Sequence, residues 1–407
     1  METINNFVGQ SPQRFIKMES FKADGRDAKL IVVSGTYYDM GYLLGRELGK
    51  QLVDEVTQGY KSIKRKVAIF LRKDKNFDEE LETSLHKFLP QIPYECRMEF
   101  AGIYAGCQEA GCNFSDPQLL EKFLILIELG EQECTLFAAQ PPFTLGDTYQ
   151  MRDLDYYKNI SMGYIPTLLI RIPQNAHGQP IDNAYASIDF LSNITGGVTT
   201  GINEHGVAFS QSRGPFLKRF SYQGMPIKSL IQQVLSKTDN AVAARSFIQK
   251  NPPATAYFVI ISDPKQRKDS LQLLFTGPAI HHAYEYDEQP DLSLIHYEDP
   301  QLRFYKPMDG IVYWTDMVDR RVNNAPADFF MKDFHQLLTQ NAGKFSAENG
   351  LNIAQTVGND ITFITALYNT SKMEAWIAYA TRKTPAHNNA FLHFNLNKYF
   401  AYKKALL

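Results

Sequence analysis

The sequence predicts an α+β fold, and three observations predict it. Apolar residues recur at helical period through most of the first 130 residues, then change to short strand-like runs set off by Gly, Pro and Asn. Those strands come in groups separated by pairs of helices, the pattern of packed layers rather than of a doubly wound sheet. No linker, repeat or low-complexity tract interrupts the 407 residues, 44% of which are hydrophobic, so one domain with a large core is expected.

The strand-like "LIVV" leads into a helix over "GTYYDMGYLLGRELGKQL", where Gly41, Gly45 and Gly49 recur every fourth residue. That spacing places them on one helix face, and a bare stripe lets another element approach closely. Arg46 and Glu47 exclude the membrane version of this pattern, and without GK[ST] a phosphate loop is not supported. "KSIKRKVAIFLRKDK" (61–75) interleaves apolar and basic residues at helical spacing and reads as a solvated helix face. Further helices are expected over "IPYECRMEFAGIYAGCQEAG" and "SDPQLLEKFLILIELG". The second has Ser115 or Asp116 as cap, Pro117 in its first turn and Gly130 as its stop.

After Gly130, "CTLFAAQ", "TYQMRDLDY", "PTLLIRIP", "NAYASID", "GGVTTGIN" and "GVAFSQS" read as strands. "GINEHGVAF" (201–209) reads as a hairpin with Asn203 and Gly206 in its turn. Helices follow over "PIKSLIQQVLSK" and "DNAVAARSFIQK", then strands over "TAYFVIIS", "SLQLLFTG" and "GIVYWTD". A second helical pair, "APADFFMKDFHQLLTQ" and "AENGLNIAQTV", precedes the last strands "DITFITALYN", "EAWIAYATR" and "NAFLHFNL".

Composition excludes several classes. Net charge is −2 and the pI about 6.5, with Lys and Arg scattered among acids, so no nucleic-acid partner is expected. The N-terminus lacks the basic and apolar regions of a signal peptide, and "FLILIELG" is too short for the ~20 residues of a membrane span. A cytoplasmic protein with no membrane span is therefore expected. Cys96, Cys107, Cys112 and Cys134 form no CxxC and too sparse a set for a disulfide framework. Cys107 and Cys112 read as core or helix-end residues.

Among the residues able to carry chemistry, nine histidines show no HExxH and no paired cysteine spacing, so neither metal nor cofactor is expected. The G-x-S-x-G of a nucleophile elbow is absent, and no histidine has a context that recommends it as partner to a cysteine. Cys134 remains, opening "CTLFAAQ" immediately after two acids and a helix stop. Eighteen residues on, "MRDLDY" places Arg152, Asp153 and Asp155 on the next strand, and buried charges in an apolar strand pair require partners. Singly, a core cysteine and a structural ion pair would account for these residues.

Taken in order, "GTYYDMGYLLG", "ECTLFAAQ", "MRDLDY" and "GINEHGVAFS" resemble the acyl-CoA:isopenicillin N acyltransferase-like family of N-terminal-nucleophile (Ntn) hydrolases. More distantly they are similar to choloylglycine hydrolases, acid ceramidase-like amidases and phospholipase B-like proteins. The resemblance implies a four-layer αββα sandwich and a precursor cut before the cysteine, with residues 1–133 as a helical N-terminal segment and 134–407 as the catalytic chain. It implies that Cys134 is the nucleophile and that its freed α-amine is the base. Arg152 then steadies the nucleophile or substrate, and Asp155 contacts the new α-amine. Asp153 stands where those families have asparagine, and Asp316 in "YWTDM" takes the place of another. Asp316 is either part of the site or paired with Arg320 or Arg321 outside it. Oxyanion stabilisation falls to the neighbourhood of Gln211 or Ser212, while Asn203 reads first as a turn residue and second as a member of the site.

The expected function is a self-processing cysteine amidohydrolase or acyltransferase that cleaves a linear C–N amide through a Cys134 thioester. Its partner is a small-molecule amide or acyl substrate, and its two fragments stay associated. The alternative is an uncleaved, non-catalytic homologue that binds a lipid or small molecule.

Overall fold

The computed structural model describes residues 14–70, 77–129, 133–155, 165–195, 197–213, 221–278, 280–284, 306–315 and 327–404. It opens with an antiparallel hairpin of β1 (Phe15–Ala23) and β2 (Arg26–Gly35). Asp24 and Gly25 turn it with φ values of 50° and 78°, the two successive positive angles of a type I′ turn. Strand β1 is absent from the sequence expectation. Its edge position leaves much of "FIKMESFKA" partly exposed, so its apolar alternation is weak.

Helix α1 (Tyr37–Phe70) begins at a capping box, in which Thr36 N donates to the Asp39 carboxylate (3.2 Å) and Asp39 N donates to Thr36 Oγ1 (3.1 Å). Helix α2 (Phe77–Phe88), α3 (Tyr94–Glu109) and α4 (Leu119–Leu129) follow. The glycine stripe is a close helix contact. A Cβ built on Gly41 or Gly45 would lie 2.0 or 2.3 Å from the carbonyl oxygens of Glu99 or Ile103 on α3. Gly102 and Gly106 of α3 answer it, with a Cβ there 2.1 Å from the Tyr38 and Tyr42 oxygens. Any side chain at these four positions would push the helices apart. At the start of α4, Asp116 Oδ1 accepts from Gln118 N (2.8 Å), while the expected stop Gly130 lies outside the described residues.

The strands are β3 (Glu133–Ala139), β4 (Tyr149–Asp155), β5 (Pro166–Pro173), β6 (Tyr185–Phe190), β7 (Thr200–Asn203) and β8 (Ala208–Arg213). Helices α5 (Ile227–Lys237) and α6 (Ala241–Lys250) lead to β9 (Tyr257–Ser262), β10 (Leu271–Gly277), β11 (Ile280–Tyr284) and β12 (Ile311–Thr315). Helices α7 (Ala327–Thr339) and α8 (Ala347–Val357) precede β13 (Thr362–Asn369), β14 (Glu374–Tyr379), β15 (Leu392–Asn395) and α9 (Asn397–Lys404).

They form two sheets. The first runs β1-β2-β5-β6-β7-β8-β9-β10-β11, with β2 and β5 parallel; the second runs β12-β3-β4-β13-β14-β15, antiparallel throughout. The sheets face each other. Trp314 stacks on Phe258 at 3.6 Å and Phe190 packs on Phe363 at 4.3 Å. On the far side of the first sheet, α5 and α6 bury Val234, Leu235 and Ile248 against Phe209, Val259 and Ile261. On the far side of the second, α8 covers β4 and β13, and Phe345 just before it meets Phe137 and Tyr149, each at 5.4 Å. The architecture is α+β, a helix–sheet–sheet–helix sandwich, as expected. No helix among the described residues is long and apolar enough to cross a membrane.

Candidate active site

Two adjacent strands of the second sheet assemble the site. Cys134 on β3 pairs with Leu154 on β4, and Arg152 pairs with Leu136 two residues further along. Strand alternation therefore puts the Cys134 and Arg152 side chains on one face, diagonal neighbours within reach of a long side chain. That face is the inner one, since Gln150 on the same side of β4 donates to Ser210 Oγ (2.9 Å) of the first sheet. Arg152 Nη2 donates to Cys134 Sγ at 3.3 Å. Its Nη1 donates to the carbonyl of Thr199, and its Nε has no acceptor among the described residues. Both residues are buried, Cys134 completely at 0% exposure.

The arginine is held from behind by residues the sequence reading did not single out. Thr199 Oγ1 donates to the carboxylate of Asp189 at the end of β6. Asp189 also accepts from Phe190 N (2.8 Å) and Asn193 Nδ2 (3.1 Å), and the Asn193 carbonyl accepts from Lys228 Nζ. Burial raises the Asp189 pKa, with the nearby Lys228 charge and the Thr199 bond opposing. Burial lowers Lys228 to about 8, with Asp189 opposing. A chain of hydrogen bonds thus runs from the cysteine sulfur through Arg152 and Thr199 to a buried acid. Its only trace in the sequence is polar residues interrupting "SIDFLSNITGGVTT".

The other face of the same strands is built differently. Thr315, Thr135, Asp153 and Thr365 are successive cross-strand partners over β12, β3, β4 and β13. Thr135 and Thr315 share a hydroxyl hydrogen bond (2.9 Å), and Thr365 Oγ1 donates to Asp153 Oδ1 (2.6 Å). Asp153 Oδ2 has no partner among the described residues, and burial lifts the carboxyl to about 8 against that single hydroxyl bond. Asp153 is therefore largely a neutral carboxylic acid near pH 7, closer in charge to an asparagine than its identity suggests. Asp155 is buried at the end of β4, paired with Glu133 across the strands, and shares by alternation the face of Asp153 rather than that of Arg152.

The remaining expectations divide. On β8 the inner residues are Ser210 and Ser212, so Ser212 is on the face toward the second sheet. Gln211 shares the outer face with Phe209, on the side of the helices. Asn203 is a turn residue. Its amide donates to Leu235 O (2.9 Å) and Thr238 O (2.7 Å), and its Oδ1 accepts from His205 N and Val207 N (3.0 Å each). Those four bonds occupy its polar atoms. Asp316 lies outside the described residues.

No protein-family model matches the chain, and no curated protein matches it in sequence. Among solved structures, a Caenorhabditis elegans N-acylethanolamine-hydrolyzing acid amidase ortholog is similar at 15% identity, over 58% of this chain and 93% of its own, with a TM-score of 0.41. A mutant conjugated bile acid hydrolase from Clostridium perfringens is similar at 12% identity, over 65% and 93%, with a TM-score of 0.43. Penicillin V acylase from Agrobacterium tumefaciens is similar at 10% identity, over 65% and 86%, with a TM-score of 0.38.

Proposed function

We propose that the chain is a self-processing cysteine amidohydrolase or acyltransferase of the Ntn type, acting on a linear amide of a small molecule. The observation that carries this reading is the Arg152 guanidinium on the Cys134 sulfur, 3.3 Å away, at the head of a core strand between the two sheets. A buried cation against a thiol favours the thiolate, the reactive form.

In processing, the Cys134 sulfur attacks the carbonyl carbon of Glu133 and the peptide nitrogen leaves, taking a proton to become the free α-amine of Cys134. Water then cleaves the thioester and releases the Glu133 carboxyl group. In turnover, that α-amine accepts the thiol proton, because a free α-amine ordinarily titrates near ~8, close to the ~8.5 of a thiol. The thiolate adds to the substrate carbonyl, and the negative oxygen so formed requires fixed donors, for which Ser212 on the inner face of β8 is the candidate. Collapse expels the amine with the proton returned from the α-ammonium. Water, or a second amine, then takes the acyl group from sulfur. Asp155, opposite Glu133 on the neighbouring strand, is the proposed anchor of the α-amine.

Complete burial of Cys134 supports one further element of the reading, that the single chain is a precursor whose sulfur a substrate reaches only after the cut. The same burial would suit an uncleaved binding protein. Intact mass of the purified chain separates the two: the enzyme reading expects fragments divided between Glu133 and Cys134, the binding reading a single 46.4 kDa species.

A further inference from the structure

Away from Cys134, a recess of about 980 Å³ opens between the β1–β2 turn and the turn that follows β14. Its strand row is the one that contains the cysteine: Cys134 pairs with Leu154, Leu154 with Ile364, and Ile364 with Tyr379. At ~4.8 Å per strand, Tyr379 stands roughly 14 Å from Cys134. Arg26 Nη2 reaches the Tyr379 carbonyl from the recess (3.4 Å).

Four cations line this recess: Arg26, Lys29, Arg382 and Lys383. Arg26 and Lys29 are half-buried, and Arg382 and Lys383 are exposed. None of the four makes an ion pair among the described residues. Among the described residues, Arg26 Nε is buried without an acceptor, and Nη2 has only the long bond to Tyr379. Burial lowers the pKa of both Arg26 and Lys29. Two acids, Asp24 and Asp27, line the recess as well, so four cations share it with two carboxylates, each of which has another partner. Asp27 accepts from Lys22 (2.6 Å), Asp24 accepts from Ala390 N (3.2 Å), and Glu55 near Lys29 accepts from Ile165 N (2.7 Å) and Ser192 N (3.3 Å). Burial also lifts Glu55 to about 8, so it brings little negative charge to Lys29 near neutral pH.

With four cations against two carboxylates the lining is net positive, and half-desolvated cations that form no direct ion pair make a place where an anion is stabilised. Thr381, Thr384 and Asn389 on the wall add neutral polar groups. A guanidinium fork with several ammonium and hydroxyl donors suits a tetrahedral oxyanion with three or four acceptor oxygens. The volume exceeds one such group and matches a small organic ligand, for which pockets run roughly 300–1,000 Å³.

We propose that this recess binds a phosphate-bearing ligand, with Arg26 and Lys29 in its floor and Arg382 and Lys383 at its rim. The phosphate comes either from a free phosphorylated small molecule or from a phospholipid headgroup. This site stands independently of the Cys134 reading, because binding is read without turnover.

The test titrates inorganic phosphate into the full chain by calorimetry, with chloride at matched ionic strength as reference. In parallel, the chain is sedimented with phosphatidylcholine vesicles with and without phosphatidic acid. Saturable one-to-one phosphate binding supports the site and a free ligand; co-sedimentation that depends on phosphatidic acid supports it and a headgroup. The double variant Arg26→Gln/Lys29→Gln and, because those two residues also pack, the exposed pair Arg382→Gln/Lys383→Gln should each weaken binding at least tenfold. Absence of both phosphate and phosphatidic-acid binding overturns the proposal. So does a response that chloride reproduces, or binding left intact by both double variants.

Discussion

Arg152 and Arg171 are both buried arginines on central strands, yet the chain holds them in opposite ways. Arg171, on the helix-facing side of β5, donates through Nε and Nη2 to one Glu99 oxygen (3.2 and 2.6 Å) and through Nη2 to the Ile194 carbonyl (2.6 Å). Its charge is met by a carboxylate, and both side chains are fully buried. Among the described residues, Arg152 has only a carbonyl and a thiol as hydrogen-bond partners. The first charge is balanced by a carboxylate, although Nη1 has no acceptor among the described residues; in the proposed mechanism the second is balanced by negative charge arriving at sulfur. An ion pair of the Arg171 kind locks helix α3 onto the first sheet, whereas a cation of the Arg152 kind is set against a group that can ionise.

The largest effect is expected at the sulfur. Cys134→Ala should leave a folded, uncut chain without amidase activity, because in the proposed mechanism one thiol performs both processing and turnover. Cys134→Ser should still process slowly through a poorer nucleophile. Intact mass and an amide-cleavage assay read both outcomes; normal cutting of the alanine variant contradicts the mechanism.

Next comes the structural arginine. Glu99→Ala strands the Arg171 charge in the core and should cost about 3–5 kcal/mol of stability, since breaking a buried pair leaves an uncompensated ion. Denaturant unfolding measures this, and a loss below ~1 kcal/mol would show the pair to be solvated rather than buried.

Arg152→Lys should be milder for the fold and specific for the chemistry. An ammonium keeps the charge but cannot place two fixed donors on the Thr199 carbonyl and the Cys134 sulfur together. A fall of about 10²-fold in turnover, roughly 2.7 kcal/mol, is expected, with the midpoint of unfolding little moved. Wild-type turnover would reduce Arg152 to a packing residue.

The smallest effect sharpens the contrast between the two faces of β4. Asp153, with its folded pKa raised to about 8, binds its proton more tightly folded than unfolded. Its contribution to stability is therefore full below the unfolded value of about 3.9 and is lost as pH rises through 8. Asp153→Asn should leave thermal stability near wild type at pH 4 and raise it by a few degrees at pH 8 to 9. Parallel melting curves across that range would place the carboxyl in contact with water. Glu55 and Glu128, raised by burial to about 8 and about 7, act in the same direction in both proteins and leave the difference to Asp153.

What the sequence disclosed follows from how local each feature is. The helices and most strands were legible from period and caps, and the glycine stripe of α1 announced a close neighbour without naming α3. Cys134 and Arg152 could be singled out together because consecutive, adjacent strands carry them in two short motifs 18 residues apart. Gln211 and Ser212 could not be told apart in the sequence: side chains alternate along a strand, so only the hairpin register shows that Ser210 and Ser212 face inward. The Asp189–Thr199 support and the Glu99–Arg171 pair were not legible. The first depends on how a loop folds back on its own strand, and the second joins residues 72 apart in sequence.

The intact mass of the purified full chain after incubation at neutral pH decides whether the chain cuts itself. Cutting 407 residues before Cys134 gives pieces of 133 and 274 residues, and these two masses are the predicted result, the larger beginning with a free cysteine α-amine. The fragments should elute together, because Leu43, Leu126, Leu136 and Ile170 lie in one continuous core that spans the cut. A single persistent species of 46.4 kDa would contradict the account and leave an arginine resting on a cysteine that never becomes a nucleophile.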